Sequence, residues 1–128
     1  MNSALQEKIS PFFIHEPSVK LAYLFGSQAV GNAGPTSDYD FAIYLDSKDP
    51  KKLFEVKAHL LDKLSLLLKS DNIDIVLLDS AKKPELKYAI ITKGVLLKEV
   101  EPYRVLVEPQ ILNEYFDFKM CLEKNKVH

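Results

Sequence analysis

YLFGSQAVGNAGPTSDYDFAIYL, residues 23–45, holds two strand ends and a glycine-rich gap, and the fold turns on how they join. The run Val19 to Phe25 (VKLAYLF) is β-branched, aromatic and apolar and stops at Gly26, the pattern of a mostly buried strand entering a turn. Gly31 to Ser37 (GNAGPTS) is loop chemistry. From Asp38 the chain alternates: Tyr39, Phe41, Ile43 and Leu45 share one face, while Asp38, Asp40, Ala42 and Tyr44 share the other. A second strand therefore begins at an end that bears carboxylates.

Outward from this stretch, helices and strands alternate. Asp49 and Pro50 form an N-cap and first-turn proline, and Leu53, Val56, Leu60, Leu61, Leu64, Leu67 and Leu68 follow at helical spacing. Ile73 to Leu78 reads as a third strand. Asp79 or Ser80 then caps a helix through Tyr88 and Ile90 that ends at Gly94, and Val95 to Leu97 adds a short fourth strand. Upstream, Ser3 and Gln6 make a capping-box-like start for a first helix carrying Leu5, Ile9 and Phe13, disturbed by Pro11. Beyond Pro102, Ile111, Tyr115, Phe118 and Leu122 form an apolar stripe widened by Leu112 and Phe116, with Pro109 kinking or starting the helix. No repeat or linker interrupts the pattern, so residues 1–128 are expected to form one α/β unit, with a helical segment over about 103–125.

Composition narrows the function. With 47% hydrophobic and 27% charged residues the 128-residue chain has the balance of a folded globule. Seventeen basic against eighteen acidic residues leave a net charge of -1, so nothing global favours a long nucleic acid or an anionic membrane. There is no basic, apolar leader and no run long enough to span a bilayer, and a cytoplasmic location is expected. The single Cys121 excludes an internal disulfide and reads as a small buried or half-buried residue. His15, His59 and His128 are scattered and suit solvent or helix-surface roles, while Asp46, Asp49 and Asp79 suit caps and turns.

Three carboxylates stand apart because each interrupts or borders an apolar strand: Asp38, Asp40 and Asp74. Such groups must be solvated, paired or bound to a cation. Asp38 and Asp40 are two residues apart on one strand face, and like charges held that close repel unless a divalent ion such as Mg²⁺ bridges them. If the third strand lies beside the second, Asp74 joins the cluster. Gly26 permits close backbone approach, and Ser27, opening a short helix, offers N–H groups and a hydroxyl to phosphate oxygens.

Gly26-Ser27, ten intervening residues and Asp38-Tyr39-Asp40 together resemble the signature of the DNA polymerase β-like nucleotidyltransferase superfamily, and the chain's size resembles its minimal members. The flanks YLFGS, SDYDFAIYL and NIDIVLLD agree, over about residues 19–98. The resemblance implies an α/β (α+β) fold, a small mixed sheet with helices packed mainly on one face. It also implies that Asp38, Asp40 and Asp74 hold two Mg²⁺ ions. Gly26 and Ser27 would seat ATP, an acceptor hydroxyl would attack the α-phosphorus, and pyrophosphate would leave. Asp74 would also take the acceptor's proton. One departure stands out: minimal members commonly carry arginines within the gap, where this chain has Gln28, Val30 and Gly34.

Minimal nucleotidyltransferases of this kind commonly pair with a helical HEPN ribonuclease as antitoxin and toxin, the antitoxin adenylylating a toxin tyrosine. That role is the expectation here, with HEPN toxin as partner. The alternative is a degenerate nucleotide-binding module that neutralises its partner by occlusion. An aminoglycoside-type nucleotidyltransferase would need an additional acceptor domain. The apolar stripe from Ile111 to Leu122 either packs on the protein's own sheet or serves a partner, a homo-oligomer included.

Overall fold

The computed structural model describes residues 3–30 and 38–125. Its elements are α1 (Ser3–Ile14), β1 (Val19–Phe25), α2 (Ser27–Val30), β2 (Tyr39–Leu45), α3 (Pro50–Leu68), β3 (Ile73–Leu77), α4 (Pro84–Lys93), β4 (Val95–Glu99) and α5 (Tyr103–Lys124). The strands form a mixed sheet ordered β3-β2-β1-β4, in which β1 is antiparallel to both β2 and β4 while β2 and β3 run parallel. The parallel pair needs a crossover, and α3 provides it.

Alternation along the strands gives the sheet two faces. Ala22, Leu24, Phe41, Ile43 and Ile75 point into the larger core, against Ile9 and Phe13 of α1 and Leu53, Leu60 and Leu64 of α3. Leu21, Tyr23 and Ala42 point the other way, into a smaller core closed by Ile90 of α4 and by Val107 and Ile111 of α5. The expected mixed sheet is thus present with its main core on one face, and α4 and α5 cover part of the second. Tyr23 is buried, and its hydroxyl donates to Glu108 of α5, which also accepts from Arg104 Nε at 3.0 Å. Burial first, then this carboxylate, pushes the Tyr23 hydroxyl far above its ordinary pKa, so it remains a donor. Lys87 of α4 reaches Glu114 of α5 at 2.8 Å, and the Tyr88 and Tyr115 rings stack 3.8 Å apart beside it.

Several local expectations hold. Asp49 caps α3 by accepting from the Lys51 N–H at 3.1 Å, Pro50 opens the helix, and β1 spans the expected residues. His59 lies on the helix surface beside Glu16, 3.0 Å away. Three details differ. Neither Asp79 nor Ser80 caps α4; both lie in the turn after β3, and the helix starts at Pro84 with no side-chain cap. Proline's fixed φ suits the first helical position, and its ring keeps the preceding residue out of helical conformation, so Pro84 sets the start. Pro109 does not start α5 but lies inside it on an exposed position, the helix having begun at Tyr103. Cys121 is exposed, because α5 runs on past the sheet that buries its first half. The Ser3 side chain, residues 31–37 and His128 lie outside the described residues.

Gly94 joins α4 to β4 with an ordinary negative φ, so its need for glycine is spatial. A Cβ there would collide with the Ile90 carbonyl oxygen and come within 3.2 Å of that of Leu24. Both obstacles are backbone, which cannot swing away. Gly94→Ala is expected to destabilise the protein by about 2 kcal/mol or more. Urea denaturation checks this, with Phe54→Ser at an exposed position as the control expected to stay within about 0.5 kcal/mol.

Candidate active site

The register of the sheet assembles the site. Phe25 pairs with Asp40 across β1 and β2, and Asp40 pairs with Asp74 across β2 and β3. Asp40 and Asp74 therefore lie side by side on the face occupied by α4 and α5, with Asp38 just before β2. Asp38 and Asp74 are exposed and Asp40 is half-buried. The Tyr39 N–H donates to the Asn72 carbonyl at 2.8 Å and so locks the two carboxylate-bearing ends together.

Gly26 closes the site from the β1 side. Its φ of 75° is left-handed, a conformation glycine adopts without penalty, and a Cβ there would lie 2.5 Å from Asp40 Oδ2. The turn thus brings bare backbone against the carboxylate. Ser27 opens α2, and the Ala29 N–H donates to the Gly26 carbonyl at 3.1 Å, tightening that turn. The side chains of Ser27 and Val30, and all of Gly34, lie outside the described residues; Gln28 is half-buried.

Burial raises the Asp40 carboxyl above its ordinary value, and the charges of Asp74 and then Asp38 raise it further. All five residues singled out in the sequence thus fall at one end of the sheet. Among the described residues, no three Asp, Glu, His or Cys side chains are already gathered into a metal-binding group. Mg²⁺ does not require one, since it commonly takes one or two carboxylates and completes its shell with substrate phosphates and water. A half-buried carboxylate crowded by two others is a donor set that fits a divalent cation.

Sequence reasoning missed one neighbour. A hollow of about 270 Å³ beside Gly26 is lined by Phe25, Gly26, Ala89 and Lys93. Its only sequence signal was a lysine in the last turn of a helix, which reads equally well as a complement to the helix dipole. A surface groove of about 610 Å³ lies at the opposite end of the sheet, between the start of α3 and the end of β3.

The family model described as polymerase beta, nucleotidyltransferase matches residues 7–102. No curated protein matches the sequence. Among solved structures, the chain is similar to one of a toxin-antitoxin with AMP-PNP, at 26% identity over 93% of each chain and a TM-score of 0.74. It is also similar to a mutant of the toxin-antitoxin containing MntA, at 25% identity over 97% of this chain and 94% of that one, again with a TM-score of 0.74. A tri-AMPylated HEPN toxin in complex with its MNT antitoxin, from Shewanella oneidensis, matches at 23% identity over 93% of each chain with a TM-score of 0.68, a likeness of fold.

The crowding around Asp40 has a stability consequence. A folded-state value raised above 3.8 means that the folded protein holds this proton more tightly than the unfolded chain, so stability falls as pH rises through that interval. Asp40→Asn is expected to raise stability near neutral pH by less than about 1 kcal/mol and to lose that advantage near pH 3, where Asp40 is protonated. Thermal melts at both pH values measure it; a less stable variant at neutral pH would reveal a favourable partner for the charged carboxylate.

Proposed function

The chain belongs to the polymerase beta nucleotidyltransferase family, and from that premise we propose that it is an antitoxin that transfers AMP from ATP to a tyrosine hydroxyl of a HEPN-domain toxin. The observation that carries this is the side-by-side placement of Asp40 and Asp74, with Asp38 adjacent and the left-handed Gly26 turn against Asp40. The likeness to toxin-antitoxin structures, one with AMP-PNP, supports the partner class and the nucleotide. The tri-AMPylated toxin of the more distant complex supports the modification.

Asp38 and Asp40 would hold Mg²⁺, and Asp74 beside them on β3 would complete the site. When bound there, Mg²⁺ offsets charge on the entering and leaving oxygens of the phosphoryl transfer. The Gly26 turn admits phosphate oxygens close to the backbone at the start of α2. The tyrosine oxygen forms a bond to the α-phosphorus as the bond from that phosphorus to pyrophosphate breaks, and the tyrosine proton passes to exposed Asp74. A docked toxin positions its tyrosine in line with the leaving group. Among the described residues no helix is long and apolar enough to cross a membrane, which suits a cytoplasmic pair.

The occluding alternative draws on the neutral gap positions Gln28, Val30 and Gly34. The two readings part on whether neutralisation outlasts contact. Incubated with the toxin, ATP and Mg²⁺ and then removed, the chain is expected to leave the toxin heavier by one or more AMP groups and inactive as a ribonuclease. Unmodified mass with restored ribonuclease activity would favour occlusion. The Asp38→Ala, Asp40→Ala double variant is expected to fold normally by circular dichroism yet transfer AMP at least ~10³-fold more slowly.

A further inference from the structure

Across the carboxylate-bearing end of the sheet the structure sets a short row of groups: Asp74 on β3, Asp40 on β2, Phe25 on β1 and Lys93 at the passage from α4 into β4. Leu24 pairs with Val95, and Gly94 packs against the Leu24 carbonyl, so Lys93 is held beside the end of β1. At a spacing of about 4.8 Å between strands, the start of β4 lies roughly 10 Å from Asp40, a distance that a polyphosphate and a lysine side chain together bridge.

Of the described residues lining the hollow next to Gly26, only Lys93 carries a charge, and Phe25 and Ala89 make its walls largely apolar. Lys93 is exposed and forms no salt bridge with any described residue. Two other cations on this face are paired with carboxylates, Lys87 with Glu114 and Arg104 with Glu99 and Glu108. Residues 28, 30 and 34 cannot carry positive charge. A nucleoside triphosphate brings several negative charges to an end of the sheet that already holds three carboxylates, and a divalent ion offsets only part of that total.

We infer that Lys93 binds the polyphosphate of the nucleotide through the hollow beside Gly26 and supplies the fixed positive charge that the gap lacks, an assignment resting on the nucleotidyl-transfer reading above. Phosphate contact, unlike base contact, makes the lysine indifferent to the nucleoside and sensitive to salt.

Calorimetric titration of ATP and of adenosine, with Mg²⁺ present, separates these possibilities in the native chain and in the Lys93→Gln and Lys93→Arg variants. Lys93→Gln is expected to weaken ATP binding by on the order of ten-fold, to leave adenosine binding unchanged and to flatten the dependence of ATP affinity on salt. Lys93→Arg is expected to remain within about three-fold of native, since the charge is kept. Native ATP affinity in Lys93→Gln would overturn the assignment while leaving nucleotidyl transfer standing, and so would an equal loss for adenosine, which would mark a base contact. Failure of the native chain to bind ATP at all would overturn both.

Discussion

No side chain fits between Gly26 and the Asp40 carboxylate, and the arrangement of the site depends on that exclusion. The left-handed φ at Gly26 turns the chain out of β1 at the point where β2 presents its half-buried acid. Any Cβ would either push β1 away from β2 or drive the carboxylate out of its position. Backbone approach and the placement of Asp40 are therefore one constraint, and the proposed phosphate access depends on it.

The site works against the stability of the fold that carries it. Three carboxylates at adjacent strand ends repel, and burial of Asp40 adds to the cost of its charge. Compensation comes from elsewhere in the sheet, where Phe41, Ile43 and Ile75, neighbours of the acids on β2 and β3, are fully or almost fully buried against α1 and α3. One strand thus carries a stabilising residue and a strained one in alternation, and each goes to its own face because side chains on a strand alternate. Functional sites that lower stability are common, and a divalent ion bound by the same groups would relieve the repulsion.

The second face has a different task. Its core is smaller, and polar ties hold α4 and α5 in place: Tyr23 to Glu108, Lys87 to Glu114 and the Tyr88–Tyr115 stack. Those ties fix the end of α4, hence the position of Lys93, relative to β1. Further along, α5 leaves the sheet, and Phe116, Met120 and Leu122 are exposed along with Cys121. Of the apolar stripe first seen in the sequence, Ile111 packs on the protein's own core and Leu122 does not. Packing on the protein's own sheet thus accounts for the first half of the helix, and the second half is exposed.

How much was legible depended on how local the cause was. The bounds of β1 followed from an uninterrupted apolar run ending on glycine, and the start of α3 from Asp49 and Pro50, because capping and proline geometry act within a few residues. The alternation of β2 likewise assigned Asp40 and Phe41 to opposite faces. Local signals misled where two competed, as when Asp79 and Ser80 offered caps but Pro84 set the start of α4. The strand order and the pairing of Asp40 with Asp74 could be written from the sequence only as a condition, since adjacency of β2 and β3 depends on the crossover of α3 and the burial of its leucines. Nothing near Lys93 in the chain marked it as a neighbour of Gly26. That closeness arises because β4 pairs with β1 across most of the intervening sequence, and only burial of both faces of the sheet selects such a pairing.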